Sequence, residues 1–147
     1  MVLNKMILAG VITIAGIGLA AAEPVTVAME YLDALEASDL DAAEKLFHPQ
    51  SSIFEGGSQE GSWKDYREHH LGPEIDSVKQ FAITRGEAVS GQSDDGSLAF
   101  VTIPIEYLIE LESGDKFDSS GMVTFVLSKV DGVHKIRHLH WSSRRKR

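Results

Sequence analysis

The stretch "FDSSGMVTFVLSKVDGVHKIRHLHWSS" joins two long segments of period-two hydrophobicity through Asp131-Gly132. An Asp-Gly pair between alternating apolar runs is among the strongest short-range signals for a two-residue β-hairpin, and such a loop fixes register. Val130 then pairs with Val133, Leu127 lies opposite Ile136, Phe125 opposite His138 and Val123 opposite His140. That face is apolar apart from the two histidines, so it reads as the interior, with His138 and His140 pointing inward. The other face carries Met122, Val126, Leu139 and Trp141 among polar neighbours, and a slip of one residue would bury Lys135 and Arg137. Two further strands, "VKQFAITRGEAVS" and "LAFVTIPIEYLIEL", precede the hairpin and are separated by the turn-rich "GQSDDGS".

Upstream of Val78 the period is helical. Val25, Ala28, Met29, Leu32 and Leu35 form one stripe, the core face of a first helix. Ser38 and Asp41 read as a capping box opening a second short helix, which His48-Pro49 ends because a residue before proline is pushed out of the helical region. "SSIFEGG" is a short strand stopped by two glycines. In "SWKDYREHHLGPE", Ser62 and Asp65 form another capping box and Gly72-Pro73 supplies the stop. Trp63, Tyr66 and His70, spaced three and then four apart, share a face of this third helix. Short helices followed by a run of antiparallel strands define an α+β domain.

The first 22 residues, "MVLNKMILAGVITIAGIGLAAA", carry one charge, Lys5, then an apolar run and small residues before Glu23-Pro24. This is the pattern of a cleaved signal peptide, with cleavage after Ala22 and export to the periplasm or beyond. The expected organisation is a leader over 1–22, one domain over 23–143 and a basic C-terminal tail over 144–147. The tail reads as a solvated, frayed terminus. The chain has no cysteine, which excludes disulfides, thiolate metal sites and a lipidated N-terminus, so no stable membrane anchoring is expected. Removing Lys5 with the leader takes the net charge from −8 to −9, which argues against a nucleic-acid partner.

Three segments, "YLDALEASDLDAAEKLFHPQSSIFEGG", "GSWKDYREHHLGPEI" and "DGVHKIRHLHWSSR", together resemble the nuclear transport factor 2-like superfamily, in its SnoaL-like, ketosteroid-isomerase-like branch. The resemblance spans nearly the whole mature chain. It implies a cone-shaped, strongly curved antiparallel sheet wrapped over the N-terminal helices, a pocket at the open end, and frequent dimers. It does not fix an activity, because a fold hosts many functions. Members active as ketosteroid isomerases use an aspartate base with a Tyr and Asp oxyanion hole, a set not placed on this sequence. Gln50 stands where an aspartate commonly follows the proline.

The residues expected to line a ligand pocket are Trp63, Tyr66, His70, Tyr107, Phe125, His138 and His140. Glu55, His70, His138 and His140 are the candidate catalytic groups: Glu55 as a general base beside Gly56-Gly57, and the histidines because imidazole titrates near neutral pH. The competing reading is a rim carboxylate in water and neutral histidines satisfied by tyrosines or carbonyls. A His-x-His pair with His70 or Glu55 would suit a metal, but any alternating strand places i and i+2 together, so neither metal nor other cofactor is assigned. Three functions stay open: a binding module for a small, partly apolar molecule, ranked first; an enzyme of proton abstraction, isomerisation or hydration and dehydration; and a non-catalytic interaction domain. A homodimer through the face with Met122, Val126, Leu139 and Trp141 is the preferred oligomer.

Overall fold

A computed structural model describes residues 23–147, and the expected leader over 1–22 lies outside the described residues. The order is α1 (Pro24–Glu36), α2 (Leu40–Glu44), β1 (Phe47–Glu55), β2 (Ser58–Gly61), α3 (Trp63–Tyr66), a π-helical turn (Arg67–Leu71), α4 (Gly72–Ile75) and five more strands. These are β3 (Val78–Arg85), β4 (Val89–Gln92), β5 (Leu98–Leu111), β6 (Lys116–Val130) and β7 (Val133–Arg145). The seven strands make one curved, open sheet in the order β2-β1-β7-β6-β5-β3, with β4 also pairing β5. All pairings are antiparallel except β1 with β7, which is parallel.

Of the expected α1 stripe, Ala28, Leu32 and Leu35 are buried and Val25 and Met29 partly so, while Val27 and Tyr31 complete the core face against β3, β5 and β7. Facing them are Val101, Ile103 and Ile105 of β5, Val123, Phe125 and Leu127 of β6, and Ile136 and Leu139 of β7. Tyr31 sits at the centre, with its ring edge-to-face to Phe47, Trp63 and Phe125 at 5.5, 6.3 and 5.8 Å. Such aromatic pairs add roughly 0.5–1.5 kcal/mol each beyond the area they bury.

The helix boundaries depart from the sequence reading at two places. Ser38 does not cap α2. It takes φ 54° to close α1, where the amides of Ser38 and Asp39 donate to Leu35 and Ala34. Asp39 is the cap instead, its Oδ1 accepting the Ala42 amide at 2.8 Å. His48-Pro49 lies within β1 rather than ending a helix, because α2 already stops at Glu44.

The largest departure is in the hairpin. Its register starts as expected, Val130 against Val133 and Leu127 against Ile136. Then it shifts: Val126 pairs with His138, Phe125 with Leu139, Thr124 with His140 and Val123 with Trp141. Arg137 is the extra residue, so β7 carries a β-bulge, and beyond it every side chain changes face. Leu139 and Trp141 are therefore interior, 0% and 5% exposed, while His138 and His140 lie on the outer face. The physical reason is burial: the bulge puts a leucine and a tryptophan into the core in place of two imidazoles that would need buried partners.

The strand also runs further than expected. Arg144 and Arg145 belong to β7 and pair with Ser120 and Ser119, and the Arg145 guanidinium lies 4.2 Å from the Phe117 ring centroid. Lys146 reaches Glu106 and Asp118 at 2.9 and 3.2 Å. Arg144 and Arg145 thus extend the sheet and Lys146 is tied to it by ion pairs, in place of the frayed tail expected from the sequence.

Candidate functional site

Where the concave face of the sheet meets the end of α1 and the α3–α4 segment, a small open cleft with about 60 Å³ of free internal volume enters the molecule. Its apolar wall is Leu35, Leu71, Ile75, Val78 and Ile109, and its aromatic wall is Phe81, Tyr107 and Trp141. The polar groups in the lining are Glu55, Tyr66 and Glu74.

Glu55 is the last residue of β1, directly before Gly56 and Gly57, whose φ values of 57° and 87° let the chain reverse into β2. Its strand partner is Trp141, and its side chain is only 25% exposed. Tyr66 donates its hydroxyl to Glu55 Oε2 at 2.5 Å, and His70 Nε2 lies 3.6 Å from the same oxygen. Burial raises the Glu55 pKa above the usual glutamate value of 4.5, while the Tyr66 bond and nearby His70 pull it partly back. Tyr66 is pushed well above its ordinary value by burial and by its neighbours Tyr31 and Glu55, so it stays a phenol and a donor. Buried Tyr31 is raised as well, chiefly by desolvation.

His70 is held from several sides. Its ring stacks on Tyr66 with centroids 5.1 Å apart, Nδ1 is 3.2 Å from Glu60, and Nε2 is 3.4 Å from Glu74. The π-helical turn delivers it. Ser62 caps α3 with a full capping box, as the sequence indicates, but Gly72-Pro73 does not stop the helix. The turn widens by one residue, so the Gly72 amide reaches the Arg67 carbonyl and the chain continues into α4 with Pro73 in its first turn. A Cβ on Gly72 would sit 2.4 Å from the Arg67 carbonyl oxygen, so only glycine fits. Gly72→Ala is expected to destabilise the protein by roughly 1–3 kcal/mol, the usual cost of forcing atoms into filled space, and to disturb His70. Thermal unfolding followed by circular dichroism checks this, and an unchanged melting temperature would refute it.

Of the seven residues expected to line the pocket, Tyr66 and Tyr107 do so and His70 joins through Glu55. Trp63 is one layer behind, stacked on Phe47 at 4.4 Å with its indole Nε1 unpartnered. Phe125 is fully buried core. His138 and His140 are outside the cleft altogether: His138 hydrogen-bonds Ser52 at 2.8 Å, meets Phe54 edge-on at 5.1 Å, and has its pKa lowered by partial burial and by His140. They are thus not brought together with Glu55 and His70. The outer face expected to bind a second copy loses Leu139 and Trp141 to the interior and retains Met122 and Val126, with Phe54 and Phe100 exposed beside them. Among the described residues no three His, Asp or Glu side chains are arranged to hold a metal ion.

Glu74 and Glu60 were not anticipated as site residues. Glu74 stands four residues after His70 on a helical segment, a spacing visible in the sequence. Glu60 arrives through the β1–β2 turn and has no such signal.

A curved seven-stranded sheet with its helices on the concave side and a cleft between them is the nuclear transport factor 2-like architecture. The chain belongs to the SnoaL-like domain family, which matches residues 25–145. Among solved structures it is similar to a candidate ketosteroid isomerase from Shewanella frigidimarina NCIMB 400, at 30% identity over 79% of this chain and 91% of that one, with TM-score 0.68. A nuclear transport factor 2-like superfamily protein from Salmonella enterica serovar Typhimurium LT2 aligns at 17% identity over 82% and 87% of the chains, TM-score 0.72. A candidate dehydratase of the same superfamily from Streptomyces avermitilis aligns at 14% identity over 79% and 90%, TM-score 0.68. The last two likenesses concern the fold. No curated protein matches the chain.

Proposed function

We propose that this protein is an enzyme that moves a proton on a small molecule bound in the cleft, with Glu55 as the group that takes and returns it. The observation that carries the reading is a carboxylate in a mainly apolar cleft, its pKa raised by burial and one oxygen held by Tyr66. A general base works best when its pKa approaches the operating pH, and burial is the usual means of bringing a glutamate there. Tyr66 orients the carboxylate and steadies its ionised form. His70, between Glu55 and the more exposed Glu74, links the buried carboxylate to the surface for proton exchange with solvent. The substrate lies against Tyr107, Trp141 and Phe81. The similar proteins described as a ketosteroid isomerase and a dehydratase are in keeping with proton transfer at carbon.

Residues 1–22 act in this reading as an export signal, and a second copy docks on the outer face around Met122, Val126 and Phe100; the intact mass of native protein reports both. The function itself is tested by incubating the protein in heavy water with a panel of small ketones, aminoketones included, and following the proton spectrum. Deuterium is expected to enter next to the carbonyl faster than in buffer alone. The rate should rise with pH through an apparent pKa above the ordinary glutamate value of 4.5, because only ionised Glu55 abstracts a proton. No exchange above buffer anywhere in the panel, or a rate indifferent to pH on the acid side, would refute the reading.

A further inference from the structure

The charges around the cleft are one-sided. Two carboxylates, Glu55 and Glu74, stand in its lining, and among the described residues no lysine or arginine does. His70 stands beside these carboxylates, its ring nitrogens 3.6, 3.4 and 3.2 Å from Glu55, Glu74 and Glu60. A single positive charge on that ring would already be shared among three carboxylates. An anionic ligand therefore finds no counter-charge in the lining, and an anionic intermediate finds none unless the substrate brings its own cation.

The other wall is built of π-surface. Phe81 meets Tyr107 with centroids 5.9 Å apart and planes at 68°, and Tyr107 meets Trp141 at 5.5 Å and 67°. Rings set edge-to-face in series cannot all be covered by one another, and each aromatic face carries the negative lobe of the ring quadrupole. Carboxylates on one side and aromatic rings on the other are the combination that attracts an alkylammonium group, whose charge is spread over a greasy surface.

We infer that the cleft selects a small ammonium-bearing ligand over neutral and anionic molecules of the same shape. The inference rests on the cleft being the ligand site, as in the proton-transfer reading, and adds the chemical class of what enters it. Phe81, Tyr107 and Trp141 receive the methyl or methylene groups around the nitrogen, and Glu74 at the mouth supplies the facing charge.

The test compares three probes of similar bulk by titration calorimetry: choline, its neutral isostere 3,3-dimethylbutan-1-ol, in which carbon replaces the nitrogen, and the carboxylate 3,3-dimethylbutanoate. Choline is expected to bind about tenfold more tightly than the isostere, the ratio that ring faces and a facing carboxylate confer on a partly desolvated cation. The carboxylate should bind more weakly than either. Glu74 is largely exposed, 64% by side chain, so Glu74→Gln should fold normally. In that variant the choline advantage should shrink to about threefold or less while affinity for the neutral isostere holds. Equal binding of the cation and the isostere, preference for the carboxylate, or binding of none of the three would each overturn the inference. If charge preference fails while isotope exchange persists, only the ligand class is wrong. If choline binds as expected but no exchange occurs with any ketone, only the proton-transfer reading falls.

Discussion

Glu55→Gln is expected to lower the isotope-exchange rate by about a hundred- to ten-thousandfold, the range a positioned general base contributes, while raising the melting temperature at neutral pH. The two effects share one cause. Ionised Glu55 sits in a setting that favours its neutral form, as the upward pKa shift from burial records. A group whose pKa is raised by folding contributes stability that is complete below its unfolded value and is lost as pH climbs through the folded value. Glutamine keeps an acceptor for the Tyr66 hydroxyl but carries no charge, so it resembles the protonated acid at every pH. The gain should be a few degrees near neutrality and should vanish in acid, where Glu55 is protonated anyway. Scanning calorimetry of both proteins at an acidic and a neutral pH reads the difference. A variant that keeps its rate, or melts lower at neutral pH, contradicts the assignment of Glu55.

The second large effect lies in β7. Leu139→Ala should cost about 2–5 kcal/mol, the range for truncating a fully buried leucine. His140→Ala, one residue away on the outer face, should stay within about 0.5 kcal/mol. His138→Ala falls between them, near 1 kcal/mol, because it gives up the hydrogen bond to Ser52. Urea unfolding measures all three. The unshifted register would reverse the order, with the histidines costly and Leu139 cheap, so the series decides between the two arrangements of the strand.

That comparison also marks where the sequence stops being legible. The helical stripe of α1, the Ser62 capping box and the Asp131-Gly132 turn are local signals, each written within a few residues, and each appears in the structure. The α+β class followed from them. The bulge at Arg137 is not local, since it is decided by what two strands bury together. A trace of it exists: Ile136, Leu139 and Trp141 are spaced three and then two, and a step of three inside an alternating strand is the change of phase a bulge produces. Reading straight alternation past it placed His138 and His140 in the pocket and Trp141 outside, the reverse of what the strand does. The same limit applies to the π-helical turn. Gly72-Pro73 is a helix stop by local rules, and only the close approach of Gly72 to the Arg67 carbonyl shows that the chain runs through it. Glu55, Tyr66 and His70 were legible because the helix spacing and the glycine pair that position them are short-range.

The parallel pairing of β1 with β7 sets the order in which the molecule can be completed. Glu55 has Trp141 as its strand neighbour, so the first strand of the sheet waits for the last. Contacts between residues so far apart in the chain carry a large loop-closure cost and form slowly. During synthesis the β5–β6–β7 meander can zip up through adjacent hairpins, but the carboxylate gains its setting only after residue 141 has emerged. The cleft is thus complete only at the end of synthesis, and a chain truncated before β7 carries Glu55 without the wall whose burial raises its pKa.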